Sequence, residues 1–215
     1  NSVNMFGPLL GTAASSHLTA AFAIVGTGQT GIDVRNNIFA NTMTGGTTSI
    51  ANVAVFLPSS GTSAMNLTWN NNAYYTGSTA GVHGIAHVGT TYTAVPAGPA
   101  TYAGLYTAAN FAPGSTAGTT NLRSYTSTLL PANTNNDNAS FGTATAAPFA
   151  ATTDLHINTG LAPTPLESGG AATGVVTDID GQVRPGPAGS VNGGAMAPDI
   201  GADEFDGVPP LANDM

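Results

Sequence analysis

The clearest order in the chain is a pattern of apolar and polar positions that occurs twice. Ile32-Asp33-Val34-Arg35-Asn36-Asn37-Ile38-Phe39 aligns with Leu67-Thr68-Trp69-Asn70-Asn71-Asn72-Ala73-Tyr74, a displacement of 35 residues (32 to 67). Each copy alternates apolar with polar, meets an Asn-Asn pair, and continues with two largely apolar residues. Alternation of period two is that of a strand with one buried face. Asn tolerates left-handed backbone and bonds its own main chain, so each pair predicts a tight bend between two short strands. Upstream of each copy, Ala21-Phe22-Ala23-Ile24 is similar to Asn52-Val53-Ala54-Val55, displaced by 31 residues (21 to 52). A longer stretch from Leu57 to Ala64 takes up the difference.

Repeats of this length imply supersecondary units that bury their apolar faces on one another. The pattern therefore predicts an all-β fold: a right-handed parallel β-helix, a solenoid with irregular loops and a C-terminal closing segment. An antiparallel sandwich with coincidental internal similarity is the alternative. Stacked coils place like on like, so Val34 is expected beside Trp69, Asn36 beside Asn71 and Asn37 beside Asn72. Stacked Asn side chains hydrogen-bond along such a column. After Tyr75 the pattern loosens. Residues 81–88 read as another strand, and residues 95–118 as a Pro/Gly/Ala-rich excursion. A short helix is expected within residues 102–111, and another Asn turn within 129–141. The solenoid is expected to span residues 1–207, with 175–207 as its closing cap and 208–215 as a linker towards a further domain.

Composition narrows the functional classes. The 215 residues include 28 Gly, 14 Pro and no Cys; charged residues are 7% and the formal net charge is -8. Arg35, Arg123 and Arg184 are the only basic residues besides histidine, too few to neutralise a run of phosphates or to dock on an anionic bilayer. Chemistry that needs lysine or a thiol is excluded. No run of about 18 apolar residues is present, so no membrane-spanning helix is predicted. A hydrophobic share of 41% separates the chain from disordered sequences. Thr, Asn, Ser and Gly must build the polar surface, which favours strands and turns. A lysine-free, cysteine-free surface of this kind reads as that of a secreted bacterial β-protein. A first residue that is Asn reads as a processed or excised piece.

The C-terminal third carries more specific signals. Pro148-Phe149, Asp154-Leu155-His156-Ile157 and Pro165-Leu166-Glu167-Ser168-Gly169 are followed by Thr177-Asp178-Ile179-Asp180-Gly181-Gln182-Val183-Arg184-Pro185. The run ends in Pro198-Asp199-Ile200-Gly201-Ala202-Asp203-Glu204-Phe205. These segments resemble the C-terminal part of bacterial, Bacteroidetes-type, surface-exported parallel β-helix (pectin-lyase-like) repeat proteins, which often carry a type IX secretion sorting domain further downstream. The resemblance is close over residues 135–207. It implies an extracellular or cell-surface location, a closing role for this run, and adhesive or carbohydrate-associated work.

Candidate chemistry is sparse. Seven of the eleven acidic residues lie between Asp178 and Asp214. Asp178-x-Asp180-Gly181 resembles the opening of a calcium loop, to which Asp199, Asp203, Glu204 and Asp206 could add oxygens. Position 189, where an EF-hand places its bidentate Glu, is Gly. Asp178 and Asp180 are therefore read as turn caps that pair with Arg184, with calcium as the weaker reading. Glycan hydrolysis needs two carboxyls about 5 to 10 Å apart. Asp33 has Thr68 as its counterpart in the next copy and Arg35 has Asn70, so no catalytic pair is assigned. His83 and His87, four apart on a strand, lie about 13 Å from each other, too far to share a metal. His156 is expected to be exposed, and Tyr74 or Tyr75 to be free to stack on sugar rings.

The sequence thus points to a non-catalytic extracellular or cell-surface module of a larger secreted protein, structural, adhesive or glycan-contacting. Its expected partners are surface glycans or other cell-surface proteins, with no nucleic acid, no membrane insertion and no required cofactor. The alternative is part of a polysaccharide lyase or glycoside hydrolase with catalytic coils upstream. The residues assigned structural roles are Asn36, Asn71, Asp178, Asp180, Arg184, Asp199 and Glu204. Ile179, Val183, Ile200 and Phe205 are expected to cover the end of the core.

Overall fold

The computed structural model describes residues 1–9, 17–26, 28–45, 50–59, 65–89, 102–111, 121–128, 135–158, 160, 162–186 and 196–211. Strands β1 (Ser2–Met5), β4 (Ile38–Asn41), β7 (Ala73–Thr76) and β10 (Phe141–Thr143) form one parallel sheet in the order β1-β4-β7-β10. Strands β2 (His17–Ala23), β5 (Ile50–Leu57) and β8 (His83–Val88) pair in parallel, and β9 (Gly104–Tyr106) runs antiparallel to β8. A two-stranded parallel sheet joins β3 (Asp33–Arg35) to β6 (Thr68–Asn70). The hairpin β11 (Phe149–Ala151)–β12 (Asp154–Ile157) stands apart, and α1 (Leu122–Thr128) is the one α-helix among the described residues.

The internal repeat is a strand register. Val34 pairs with Trp69, and Ile38 with Ala73. Upstream, the match of 21–24 with 52–55 is two residues out: Thr19 pairs with Asn52 and Phe22 with Val55. The slip is even, so each side chain keeps its face. The Thr19 hydroxyl donates to Asn52 Oδ1 at 2.7 Å, a contact the expected register lacks.

The solenoid expected over 1–207 is not the architecture found. The described strands form four small parallel and mixed sheets, with no continuous solenoid or closed barrel among them. The reason lies beyond β8. There the chain reverses into antiparallel β9, followed by a 3-10 turn at Ala108–Asn110 where a flanking helix was expected. The third position of the Asn column holds Ser140, which precedes β10. Past β12 the described chain adds only isolated bridges, Pro163 with Val208 and Thr177 with Val183. Residues 60–64, 90–101, 112–120 and 129–134 of the expected loops and turns lie outside the described residues.

The parallel four-stranded sheet is covered on both faces. Phe39 and Tyr74 turn inward and continue an aromatic row with Phe22, Trp69 and Phe111, ring centroids 5.2 to 6.5 Å apart. Burying such rings stabilises beyond their area through offset and edge contacts. Ile38, Ala40, Ala73 and Tyr75 face the opposite way and pack with Leu166 and Ile200 of the C-terminal segment. That segment therefore lies along a sheet face. Ile200 is buried there and Phe205 partly so, but Ile179 and Val183 are 51% and 64% exposed and cover nothing.

Candidate functional site

The bend positions carry two sets of Asn contacts. Asn36 and Asn71 take left-handed backbone, with φ of 58° and 53°. That conformation is accessible to Asn because its short side chain bonds locally. The next residues form the column: Asn37 Nδ2 donates to Asn72 Oδ1 at 2.9 Å, and Asn72 Nδ2 to the Val34 carbonyl at 2.9 Å. Asn36 and Asn71 do not stack on each other. They point to the C-terminal segment, where Asn36 makes a two-bond clasp with the Ala171 amide and carbonyl at 2.8 and 2.6 Å. Asn71 Nδ2 donates to the Gly169 carbonyl at 2.9 Å. Gly170 is required nearby, since a Cβ there would lie 2.6 Å from the Pro198 carbonyl oxygen.

The C-terminal segment buries four carboxylates and supplies their donors mostly from backbone. Asp199 accepts the Ser168 and Phe205 amides at 2.6 and 2.8 Å. Glu204 accepts the Gly186 and Asp199 amides at 2.5 and 3.1 Å. Glu167 Oε2 accepts the Gly207 amide at 2.7 Å, and Asp203 Oδ2 the Ile157 amide at 2.7 Å. Burial pushes all four upward from ordinary carboxylate values, Asp199 to about 8, with Glu204 and Glu167 adding repulsion there. Arg184 pairs with Glu204, Nε to Oε2 at 3.3 Å, both side chains nearly buried, and donates to the Gly201 and Asp203 carbonyls. The pairing expected with Asp178 and Asp180 is thus replaced. Asp178 does cap turns: Oδ1 accepts the Asp180 and Gln182 amides and Oδ2 the Glu204 amide. Its two oxygens are therefore engaged within the segment, unlike those of a calcium loop's opening residue.

Asp180 instead meets His156. Its Oδ2 lies 2.9 Å from Nε2, while Asp154 Oδ1 lies 2.5 Å from Nδ1. Hydrogen bonds donated by the ring to Asp154 and then to Asp180 raise the imidazole to about 9. One oxygen of Asp203 completes a group in which one donor atom from each of His156, Asp180 and Asp203 lies within 4.8 Å of the others. No motif spacing signals this group, because its members come from a hairpin and two distant turns. Asp154-x-His156 is its one local trace, two same-face positions of a strand.

The other candidates are structural. Asp33 forks onto Arg35 at 2.7 and 2.6 Å on the surface. His83 Nε2 lies 2.8 Å from the Met43 carbonyl and Nδ1 accepts the Thr79 amide, while His87 stacks on Phe56. Tyr74 and Tyr75 are buried, against expectation. Tyr74 belongs to a chain not visible in the sequence: Trp69 Nε1 donates to its hydroxyl at 2.6 Å, and that hydroxyl to buried Asp137 at 2.7 Å. Burial raises Asp137 to about 6.

An open groove of about 500 Å³ lies beside β10, lined by Tyr75, Phe141, Thr143, Thr145, Asn158 and Pro163 among others. It offers ring and methyl surface with hydroxyl and amide groups, and no charged side chain lines it among the described residues. Among the described residues no helix is long and apolar enough to cross a membrane. No family model, curated protein or solved structure matches the chain.

Proposed function

We propose that the chain is a non-catalytic binding module of a secreted bacterial surface protein, contacting uncharged glycans along the groove beside β10. The observation that carries this reading is how its acids are used. Asp33 is held by Arg35, Asp137 by Tyr74, and Asp154 and Asp180 by His156. Glu167, Asp178, Asp199, Asp203 and Glu204 accept backbone amides. Acid–base cleavage of a glycosidic bond needs two carboxyls facing a shared opening; each of these carboxylates is engaged by a cation, a hydroxyl or a backbone amide, and none lines the groove. The groove supplies what a neutral sugar needs: apolar surface for a ring face and small polar groups for hydroxyls. The extracellular address and a longer parent protein rest on the resemblance of residues 135–207 to surface-exported proteins and on the lysine-free, Thr/Asn-rich surface.

Affinity electrophoresis against neutral and uronic-acid polysaccharides tests the reading. Retardation by neutral polymers is expected, lost in Thr143→Arg, with no reducing ends released. Cleavage products that disappear in Asp33→Asn would establish an enzyme instead.

A further inference from the structure

His156 sits at a junction where Phe149 and Ile157 of the hairpin already pack against the cluster of Leu166 and Ile200. Its strand, β12, faces the turn carrying Asp180 and the loop carrying Asp203. Asp203 is only 5% exposed, and its Oδ2 takes the Ile157 amide at 2.7 Å. An oxygen of this buried carboxylate lies within 4.8 Å of a His156 ring nitrogen and an Asp180 oxygen. Asp154 holds Nδ1 of the ring from the other side. An outer carboxylate of this kind fixes a metal-ligating imidazole through one nitrogen, and the other, Nε2, here lies 2.9 Å from Asp180 Oδ2.

We propose that His156, Asp180 and Asp203 form a site for a divalent first-row transition metal, typified by Zn2+, that fastens the β11–β12 hairpin to the C-terminal segment. One imidazole and two carboxylates suit zinc or its neighbours, whereas calcium wants six to eight oxygens and no nitrogen. Ligands about 2.0 to 2.2 Å from a tetrahedral zinc lie about 3.4 Å apart. A pair at the 4.8 Å limit must close by about 1.4 Å to reach that spacing, while His156 Nε2 and Asp180 Oδ2, 2.9 Å apart, must open by about 0.5 Å. His156 and Asp180, each 46% exposed at the side chain, are free to make these movements around the anchored Asp203. The exposed side leaves a coordination position for water. The competing occupant is a proton, which makes His156 an imidazolium between two carboxylates. Zinc binding must expel that proton, so affinity rises with pH.

The test uses the full chain, stripped with chelator, and Zn2+ alone as the probe. Calorimetry in two buffers of different ionisation enthalpy reads affinity and proton release together; Co2+ absorption reads the geometry. One equivalent of Zn2+ should bind with release of a proton, raise the melting temperature, and not be replaced by Ca2+. His156→Ala and Asp180→Asn, both at exposed positions, should weaken binding at least about tenfold, and Asp154→Asn about tenfold through the outer shell. Asp203→Asn risks the fold because it holds the Ile157 amide, so the two exposed variants decide. Absence of one-equivalent binding in the wild type, or binding unchanged in His156→Ala, overturns the proposal.

Discussion

Residues 1–89 and residues 163–211 bury their backbone by different means. In the first stretch, parallel ladders satisfy the amides, and apolar side chains in register build the core. In the second, the described chain contributes isolated bridges and scattered backbone bonds but no strand, so many of its amides find acceptors in side chains instead. Asp178, Asp199 and Glu204 each take two or more of them. A buried amide left unpaired costs about 1–3 kcal/mol, so irregular chain can pack on a sheet only if acceptors travel with it. The acidic character of the C-terminal third is thus a consequence of its lack of regular structure.

The largest expected effect falls in the ladder region. Trp69 is fully buried, touches Phe22 and Phe39, and gives its indole N–H to Tyr74. Trp69→Ala removes that ring and leaves the Tyr74–Asp137 pair without its donor. A loss of about 3–5 kcal/mol is expected by denaturant unfolding. A loss under about 1 kcal/mol would mean that the aromatic row does not organise this half.

The matching break in the C-terminal segment is electrostatic. Arg184→Met keeps much of the side-chain volume but leaves Glu204 buried without its cation and two carbonyls without donors. Removing one partner of a buried pair costs about 3–5 kcal/mol. Glu204→Gln combined with Arg184→Met should recover part of the loss, because the uncompensated charge is then gone. A double variant no better than Arg184→Met alone would place the effect in lost packing.

Much of the first region was legible in the sequence and little of the second. Alternation and the Asn-Asn pairs located β3, β4, β6 and β7, because both signals follow from backbone geometry. The two-residue error at β2 and β5 arose because an even slip preserves the apolar face; the Thr19–Asn52 bond that decides it is not a hydrophobic signal. Ile38-Phe39-Ala40 and Ala73-Tyr74-Tyr75 are apolar on successive positions, the mark of a strand covered on both faces. The expectation that Tyr74 or Tyr75 is exposed misses this mark: both are buried. In the second region, Glu167, Asp199 and Glu204 come together only through the tertiary path of the chain, and so do Asp180 and His156. Acceptors of backbone amides follow no period, so no pattern announces them.

The pH response sharpens the contrast. Burial holds Asp199 at about 8, above its ordinary 3.8, with Glu167, Asp203 and Glu204 displaced in the same direction. A carboxyl raised on folding binds protons more tightly in the native state. Its stabilising effect is complete below about pH 4 and is lost as pH rises through about 8. Melting temperature should therefore fall between pH 5 and 8, and the fall should flatten in Asp199→Asn relative to wild type. An equal slope in both proteins would remove Asp199 as its source.

The smallest effect concerns the apolar residues that the sequence marks as the cover of the core. Ile179 and Val183 flank the same turn as Asp178 and Asp180, and spacing alone makes them candidates to bury against a sheet. The C-terminal segment presents Ile200 and Leu166 to that sheet instead, and leaves Ile179 and Val183 largely in water. An apolar side chain contributes in proportion to the area it loses to solvent, about 25 cal/mol per Å². Two residues that lose less than half of theirs add little. Ile179→Ser with Val183→Ser should shift the melting temperature by no more than about 2–4 °C, since surface substitutions stay within about 0.5 kcal/mol each. Ile200→Ala, by contrast, should cost about 2–4 kcal/mol. A large loss from the serine pair would mean that hydrophobic cover, and not carboxylate fastening, holds this turn in place, and would erase the distinction between the two halves at the point where it is drawn most sharply.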